Sequence, residues 1–209
     1  MQYLPIFLTV ALAHLLAVIS PGPDFVMITR NSLIYSRRTG IYTAVGLALG
    51  ILVHITYSLA GIGFIIAKSL LLFNIIKFLG AAYLIYIGYK SLTAKSSKLD
   101  VSVQNIKKDL SRLVAVKIGF LTNVTNPKAT LFFLSLFTLV ITPSTPIFIK
   151  ILLGAEMSIV TFLWFAFVTY LTSHHLVKNK IGGVQHFAEK FIGIVLIALG
   201  IKVAFSSSK

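Results

Sequence analysis

Ser20-Pro21-Gly22-Pro23-Asp24 interrupts a run that is otherwise apolar from Leu4 to Thr29. Proline removes a backbone donor and clashes with the preceding turn, so two prolines around a glycine break a helix at this point. In the second half of the chain, Thr125-Asn126-Pro127-Lys128-Ala129 sets a proline and a charge inside another apolar run, Ile118 to Ile141. Carbonyl and amide groups freed at membrane depth cannot face lipid, so they are buried in protein or line a polar cavity. Asp24 and Lys128 sharpen the point, because a charge near the bilayer centre costs about 2.5–3.5 kcal/mol on insertion scales. The pair reads either as part of a functional site or as a mutual ion pair. Simpler roles are a packing kink for the prolines and a cap on the following helix for Asp24.

Composition places these breaks in a membrane. The chain has 209 residues, 57% hydrophobic and 11% charged, where a soluble domain carries about 25% charged residues. Nineteen Lys and Arg against five Asp and Glu give a net charge of +14, beside a mean hydropathy of +0.93. That combination excludes an ordinary soluble enzyme and a disordered basic tail. Nucleic-acid binding needs a basic face on a water-soluble body, so the expected partner is the lipid bilayer and no nucleic acid. Cysteine is absent, which removes disulfides, thiolate metal sites and thiol nucleophiles. No Lys or Arg precedes the first apolar run, and the first positive charge is Arg30. A cleaved signal starts positive, so the run reads as a retained span.

About 20 apolar residues in a helix cross the hydrocarbon core. On that measure the chain reads as an all-α integral membrane protein of six spans. They run roughly from Leu4 to Thr29, Gly40 to Ala67, Leu71 to Leu92, Ile118 to Ile141, Ile147 to Thr172 and Phe187 to Phe205. Lys68, Asn74 and Lys77 mark the turn between the second and third, and Pro143 and Pro146 end the fourth. Thr93 to Lys117 is rich in Lys, Ser, Asp and Asn and reads as a polar loop. The expected organisation is one transmembrane domain over 1–209, with repeat 1 at about 1–93, a loop at about 94–113 and repeat 2 at about 114–209. Three spans per half force the second half to enter the membrane upside down. Such inverted repeats, with broken helices, are common in secondary transporters.

Sorting the basic residues orients the bundle, because cytoplasmic loops collect Lys and Arg. Arg30, Arg37 and Arg38, then Lys90 through Lys117, then Lys178, Lys180 and Lys190 put 13 of the 19 on one side. Lys68, Lys77, Lys150, Lys202 and Lys209 fall on the other, and Lys128 alone falls inside a span. The expectation is that both termini face outward.

The remaining polar residues give weaker signals. Glu156 and His54 lie within spans, and either group type can carry a proton for gradient coupling. Glu156 near the outer surface would instead be hydrated. His14 reads as a hydrogen-bonded partner of a neighbouring helix, and His174 and His175 as interfacial. No two histidines have the spacing of a helical metal site, and no phosphate-binding loop occurs, so neither metal, nucleotide nor any other cofactor is expected. Gly46-Leu47-Ala48-Leu49-Gly50 allows close helix approach, more commonly within a bundle than between copies of a homo-oligomer. Tyr83, Tyr86 and Tyr89 suit the headgroup region, whereas Trp164 sits mid-span and reads as packing.

Taken together, these residues resemble the LysE/RhtB-type amino-acid exporter family. Ser20-Pro21-Gly22-Pro23-Asp24 followed by Arg37-Arg38-Thr39-Gly40 is similar to its first signature. Gly46, Gly50 and His54 match its glycine-spaced second helix, and Gly80 to Gly88 is close to its third. Gly119 to Asn123, then Asn126-Pro127-Lys128-Ala129 and Phe132-Phe133, match the opening of the second half. Trp164, Tyr170 and Gly193 to Gly200 complete the order, while the stretches Thr93–Arg112 and Thr142–Ile149 carry no signature of the family.

The resemblance implies export of small amino acids or derivatives, driven by an ion gradient. A zwitterion needs fixed partners of both signs. The expected substrate-binding residues are therefore Pro21, Gly22, Pro23, Asp24, Asn123, Asn126, Pro127 and Lys128, with Asp24, His54 and Glu156 as proton-coupling candidates. Asp24 would meet the amino group or a proton, and Asn126–Lys128 the carboxylate. The alternative is a membrane protein of similar architecture without transport, such as a lipid-handling enzyme or a scaffold. A reporter fused after Lys209 is expected to be active on the outer side of the membrane; a cytoplasmic signal would overturn the orientation.

Overall fold

The two sequence interruptions become two gaps between helices. The computed structural model describes residues 3–93, 108–140, 145–172 and 181–205. In chain order the helices are α1 (Leu4–Ile19), α2 (Pro23–Ile34), α3 (Arg37–Lys68), α4 (Leu70–Thr93), α5 (Arg112–Val124), α6 (Pro127–Val140), α7 (Ile147–Thr172) and α8 (Ile181–Phe205). Among the described residues there is no strand. Between α1 and α2 the axis bends by 54°. Ser20 and Gly22 are extended, and Pro23 begins α2, a position where its missing N–H leaves no intrahelical bond unmade. Pro127 begins α6 in the same way after the gap at Thr125-Asn126.

Among the described residues, three helices are long and apolar enough to cross a membrane, through Arg37–Ala60, Asn74–Thr93 and Ile147–Thr172. The bent pair α1 and α2 makes a fourth when counted as one span. Pro127–Phe137 and Gly193–Phe205 are shorter apolar helices. The chain is thus a multi-pass membrane protein whose described elements are all helices, with both expected helix breaks.

Some boundaries differ from the sequence reading. The polar stretch ends earlier than Lys117, because α5 begins at Arg112, where the Ser111 hydroxyl caps it by accepting from the Val114 N–H at 3.4 Å. The turn between the second and third spans is Ser69 alone, whose hydroxyl accepts from the Leu72 N–H at 3.2 Å. Asn74 and Lys77 lie inside α4, and Lys77 is buried with its ammonium 5.0 Å from the Phe78 ring centroid. Lys128 is therefore not the sole lysine within a span. A long apolar stem lets such a residue sit a turn or two below a helix end while its head group finds polar company. Residues 94–107, Pro143, His174, His175, Lys178, Lys180 and Lys209 lie outside the described residues.

Packing centres on α3, which touches α2, α5, α6 and α7, while α4 pairs with α8. The α3–α5 crossing is glycine-dependent. A Cβ on Gly46 would overlap the Val116 carbonyl oxygen, and one on Gly119 would overlap the Thr43 carbonyl oxygen. The Gly46/Gly50 element therefore works inside the chain. At the α4–α8 crossing Gly88 and Gly193 each face the other's carbonyl. Beneath these contacts a core of Val10, Leu16, Leu84, Leu136, Met157 and Leu196 joins both halves of the sequence. Trp164 packs against the cluster of Phe25, Leu47 and Phe165, as expected of a mid-span residue. Large apolar side chains such as Leu8, Leu79, Phe148 and Leu163 cover the outside, the arrangement a lipid solvent favours.

Gly46→Val is expected to destabilise the fold by about 1–3 kcal/mol through overpacking at this crossing. The checking measurement is the thermal midpoint in detergent, with exposed Leu49→Ala as a control that leaves the midpoint near its starting value.

Candidate functional site

The second break is closed by its own asparagine. The Asn126 side-chain oxygen accepts from the Lys128 N–H at 3.0 Å, and its carbonyl accepts from the Thr130 N–H at 3.0 Å. Its own N–H donates to the Asn123 carbonyl at 2.9 Å. Asparagine is among the best residues for capping a helix start, and here it caps α6. The first break has no such device. Gly22 stands at the cap position of α2 without a side chain to bond the first amides, and the only acid of that first turn is Asp24.

Each break is completed by the other. The Lys128 ammonium donates to the Ser20 carbonyl at 2.7 Å and to the Pro21 carbonyl at 3.3 Å. These are carbonyls that the prolines and Gly22 release from the helix ladder. Lys128 fits because Gly22 leaves room; a Cβ there would lie 3.3 Å from Lys128 Cδ. In the other direction, Asn123 near the end of α5 donates from Nδ2 to Asp24 Oδ2 at 2.7 Å. A carboxylate only accepts, so this contact fixes the Asn123 amide with its oxygen turned away from Oδ2. Gly50 of α3 gives Asn123 its space, since a Cβ there would sit 2.6 Å from Asn123 Oδ1.

His54 stands behind this arrangement. Its Nε2 lies 2.9 Å from the Asn123 carbonyl and its Nδ1 lies 2.6 Å from the Tyr57 hydroxyl. A carbonyl can only accept, so Nε2 carries the proton, and in the neutral ring Nδ1 accepts from Tyr57. The imidazole stacks on Phe133 with centroids 5.4 Å apart.

A cavity lies between the breaks. Ser20, Gly22, Asp24, Asn123, Asn126 and Lys128 form its polar wall. Two acceptors of these residues are buried without a partner among the described residues, Asp24 Oδ1 and, set against Gly50, Asn123 Oδ1. Leaving such atoms unpaired costs about 1–3 kcal/mol each.

Of the residues singled out in the sequence, Gly22, Asp24, Asn123, Asn126 and Lys128 therefore converge on one cavity. Pro21 contributes its carbonyl to Lys128, while Pro23 and Pro127 start helices and do not line the space. His54 adjoins the cavity through Asn123 and Phe133. Glu156, half-buried on α7, does not line it, and its Oε2 is buried without a partner among the described residues. Sequence reasoning missed the rest of the lining. His14 and Thr161 belong to it, as do Phe25, Phe132, Phe133 and Phe165. The available signals were the place of His14, a turn and a half before the first break, and the Phe132-Phe133 pair just past the second. Nothing in the sequence marks Thr161.

Comparison with known proteins gives a consistent picture. The family model described as LysE type translocator matches residues 15–207. An uncharacterized membrane protein of Bacillus subtilis is 33% identical over 196 residues, covering 90% of this chain and 93% of its own. The threonine efflux protein of Escherichia coli is 29% identical, with 97% and 99% covered. The leucine efflux protein of Klebsiella pneumoniae is 25% identical, with 95% and 94% covered. No solved structure matches.

Removing the lysine head group tests how the breaks hold together. Lys128→Met is expected to lower stability by about 1–3 kcal/mol, since the Ser20 and Pro21 carbonyls lose their donor. Lys128→Arg restores most of it. An unchanged thermal midpoint in Lys128→Met would refute this account of the contact.

Proposed function

Because the chain belongs to the LysE type translocator family, we propose that it is a secondary transporter that exports small amino acids or their derivatives from the cytoplasm. As a translocator it is not an enzyme. The single observation that carries the substrate class is the pairing of opposite charges and unmet acceptors on one cavity wall. Asp24 and Lys128 occupy the same position in their helices, each the residue after the proline that starts α2 or α6. An amino acid brings an ammonium with three donors and a carboxylate with only acceptors. The ammonium suits Asp24 Oδ1 and Asn123 Oδ1, the two buried acceptors without partners. The carboxylate suits the side of the cavity where the Lys128 charge lies beside the uncapped start of α2 and the Asn126–Lys128 segment. Helix N-termini carry partial positive charge and attract anions. The names of the efflux relatives, threonine in one and leucine in another, support the same class.

In this reading the two halves, about 1–93 and 114–209 with the loop at about 94–113 between them, are inverted three-span repeats that rock around the cavity. A basic-rich cytoplasmic side and outward termini in the cytoplasmic membrane complete the topology, and Gly46 and Gly50 are committed to contacts within the chain rather than to a second copy. Proton coupling is assigned first to Asp24, the one acid on the cavity wall. His54 has both ring nitrogens engaged and Glu156 lies off the cavity, so they are the lesser candidates.

The test is efflux of labelled amino acids from liposomes containing the purified chain. A hydrogen bond to a charged group contributes about 1.5–3 kcal/mol, so Asp24→Asn is expected to slow efflux about 10- to 100-fold in a protein of unchanged thermal midpoint. Asp24→Glu keeps more activity. Full efflux by Asp24→Asn would remove Asp24 from the site, and no efflux of any amino acid by the parent chain would refute the function.

A further inference from the structure

Beyond the charged wall the cavity is lined by Ala17, Val18, Ile51, Phe132, Phe133 and Phe165, with two polar residues set among them. These are His14 of α1 and Thr161 of α7, only 1% and 0% exposed. Thr161 Oγ1 lies 3.3 Å from His14 Nε2, and His14 Nδ1 has no partner among the described residues. His14 also touches the rings of Phe132 and Phe133, at 6.3 and 5.9 Å between centroids. Burying an imidazole nitrogen without a hydrogen bond is unfavourable, and a leucine facing a valine would fill the same apolar wall without that penalty. A polar pair in this place therefore answers to something other than packing.

We propose that His14 and Thr161 form the side-chain subsite of the cavity and select an amino acid whose short, neutral side chain carries a hydroxyl. The inference rests on the export reading given above and adds the substrate class. A neutral imidazole has one donor and one acceptor nitrogen, and a threonine hydroxyl can act both ways. With Thr161 donating to Nε2, the unpartnered Nδ1 is a donor; with Nε2 donating to Thr161, Nδ1 is an acceptor. A substrate hydroxyl satisfies either arrangement, because it too donates and accepts. A charged side chain does not fit. Asp24 and Lys128 are the only charged residues among those lining the cavity, and both belong to the breaks, where the zwitterion takes them. A purely aliphatic side chain fits the apolar wall and leaves the His14–Thr161 pair unmet. Sites built to bond a substrate hydroxyl discriminate against the analogue that lacks it for this reason.

The experiment compares threonine with valine, which replaces the hydroxyl by a methyl group at nearly the same shape, in liposomes containing the full chain. Serine and alanine serve as a second pair. The parent chain is expected to favour the hydroxylated member at least about tenfold, the equivalent of one net hydrogen bond. Thr161→Val and His14→Leu bring the ratio near one, and Thr161→Ser keeps the preference. Should His14→Leu fail to fold, the Thr161→Val and Thr161→Ser pair decides alone. A parent chain that moves both members equally, or a preference that survives both substitutions, overturns this inference and leaves amino-acid export standing. Loss of efflux for both members alike in the folded variants assigns the pair to packing and overturns it as well. A parent chain that moves no amino acid sinks the export reading itself.

Discussion

Every backbone group that leaves a helix at membrane depth must find a new partner, and this requirement organises the molecule. The first break releases the Ser20 and Pro21 carbonyls, and the donor that receives them is Lys128, more than a hundred residues away and just past the second break. The second break leaves the end of α5 beside Asp24, and Asn123 is the group that meets it. The first interruption is not satisfied from its own side alone, and the second, capped by its own Asn126, lends the Asn123 side chain to Asp24. The contact that makes the first break tolerable also places a cation beside Gly22, and the contact at Asp24 turns a second acceptor, Asn123 Oδ1, away from that carboxylate. The cavity is the space that these two solutions leave between them. Asn123 has a triple role, since its carbonyl also receives the Asn126 N–H and faces His54.

The two breaks are alike in position and unlike in chemistry. Both place a proline at the first helical residue and a charge at the second, but Asn126 caps α6 whereas Gly22 leaves the start of α2 open. A capped start has spent one of its orphan amides on its own asparagine; an uncapped one keeps it for something else. The acid in the first turn of α2 suits the helix dipole, which lets a glycine stand at a position where a side chain would crowd Lys128. Small residue, open amides and nearby ammonium therefore occur together at the first break for connected reasons.

Much of this was legible in the sequence because the signals are local. Proline and glycine inside an apolar run announce a break wherever it occurs, and five of the eight expected substrate-binding residues line one cavity. Helix ends set by side-chain capping were less legible: Ser111 and Ser69 shift two boundaries by a few residues, and neither serine differs in composition from its neighbours. Lys77 was misplaced because hydropathy counts a lysine as a loop marker, whereas its stem can run along apolar surface. The second half of the cavity was invisible for a deeper reason. Thr161 and Phe165 look like any other span residues, and their meeting with His14 is set by how α1 and α7 pack. Only tertiary structure brings such residues together.

Whether Asp24 and Lys128 serve binding or structure is then a question with one answer for both. Each charge is held in the resting fold by a polar group of the opposite break, so a rocking motion of the two halves would strain those contacts. A buried charge that loses its partner is strongly destabilising, which in the proposed cycle would set a barrier against movement without substrate. In the transport we propose, a zwitterion in the cavity would change that balance, because it would bring its own donors to Asp24 and its own acceptors toward Lys128. The groups that hold the breaks together without substrate are thus the groups best able to let go of each other when substrate is present. Under the proposed function, a structural role at rest and a binding role in transport would be, for these residues, two stages of the same electrostatic requirement.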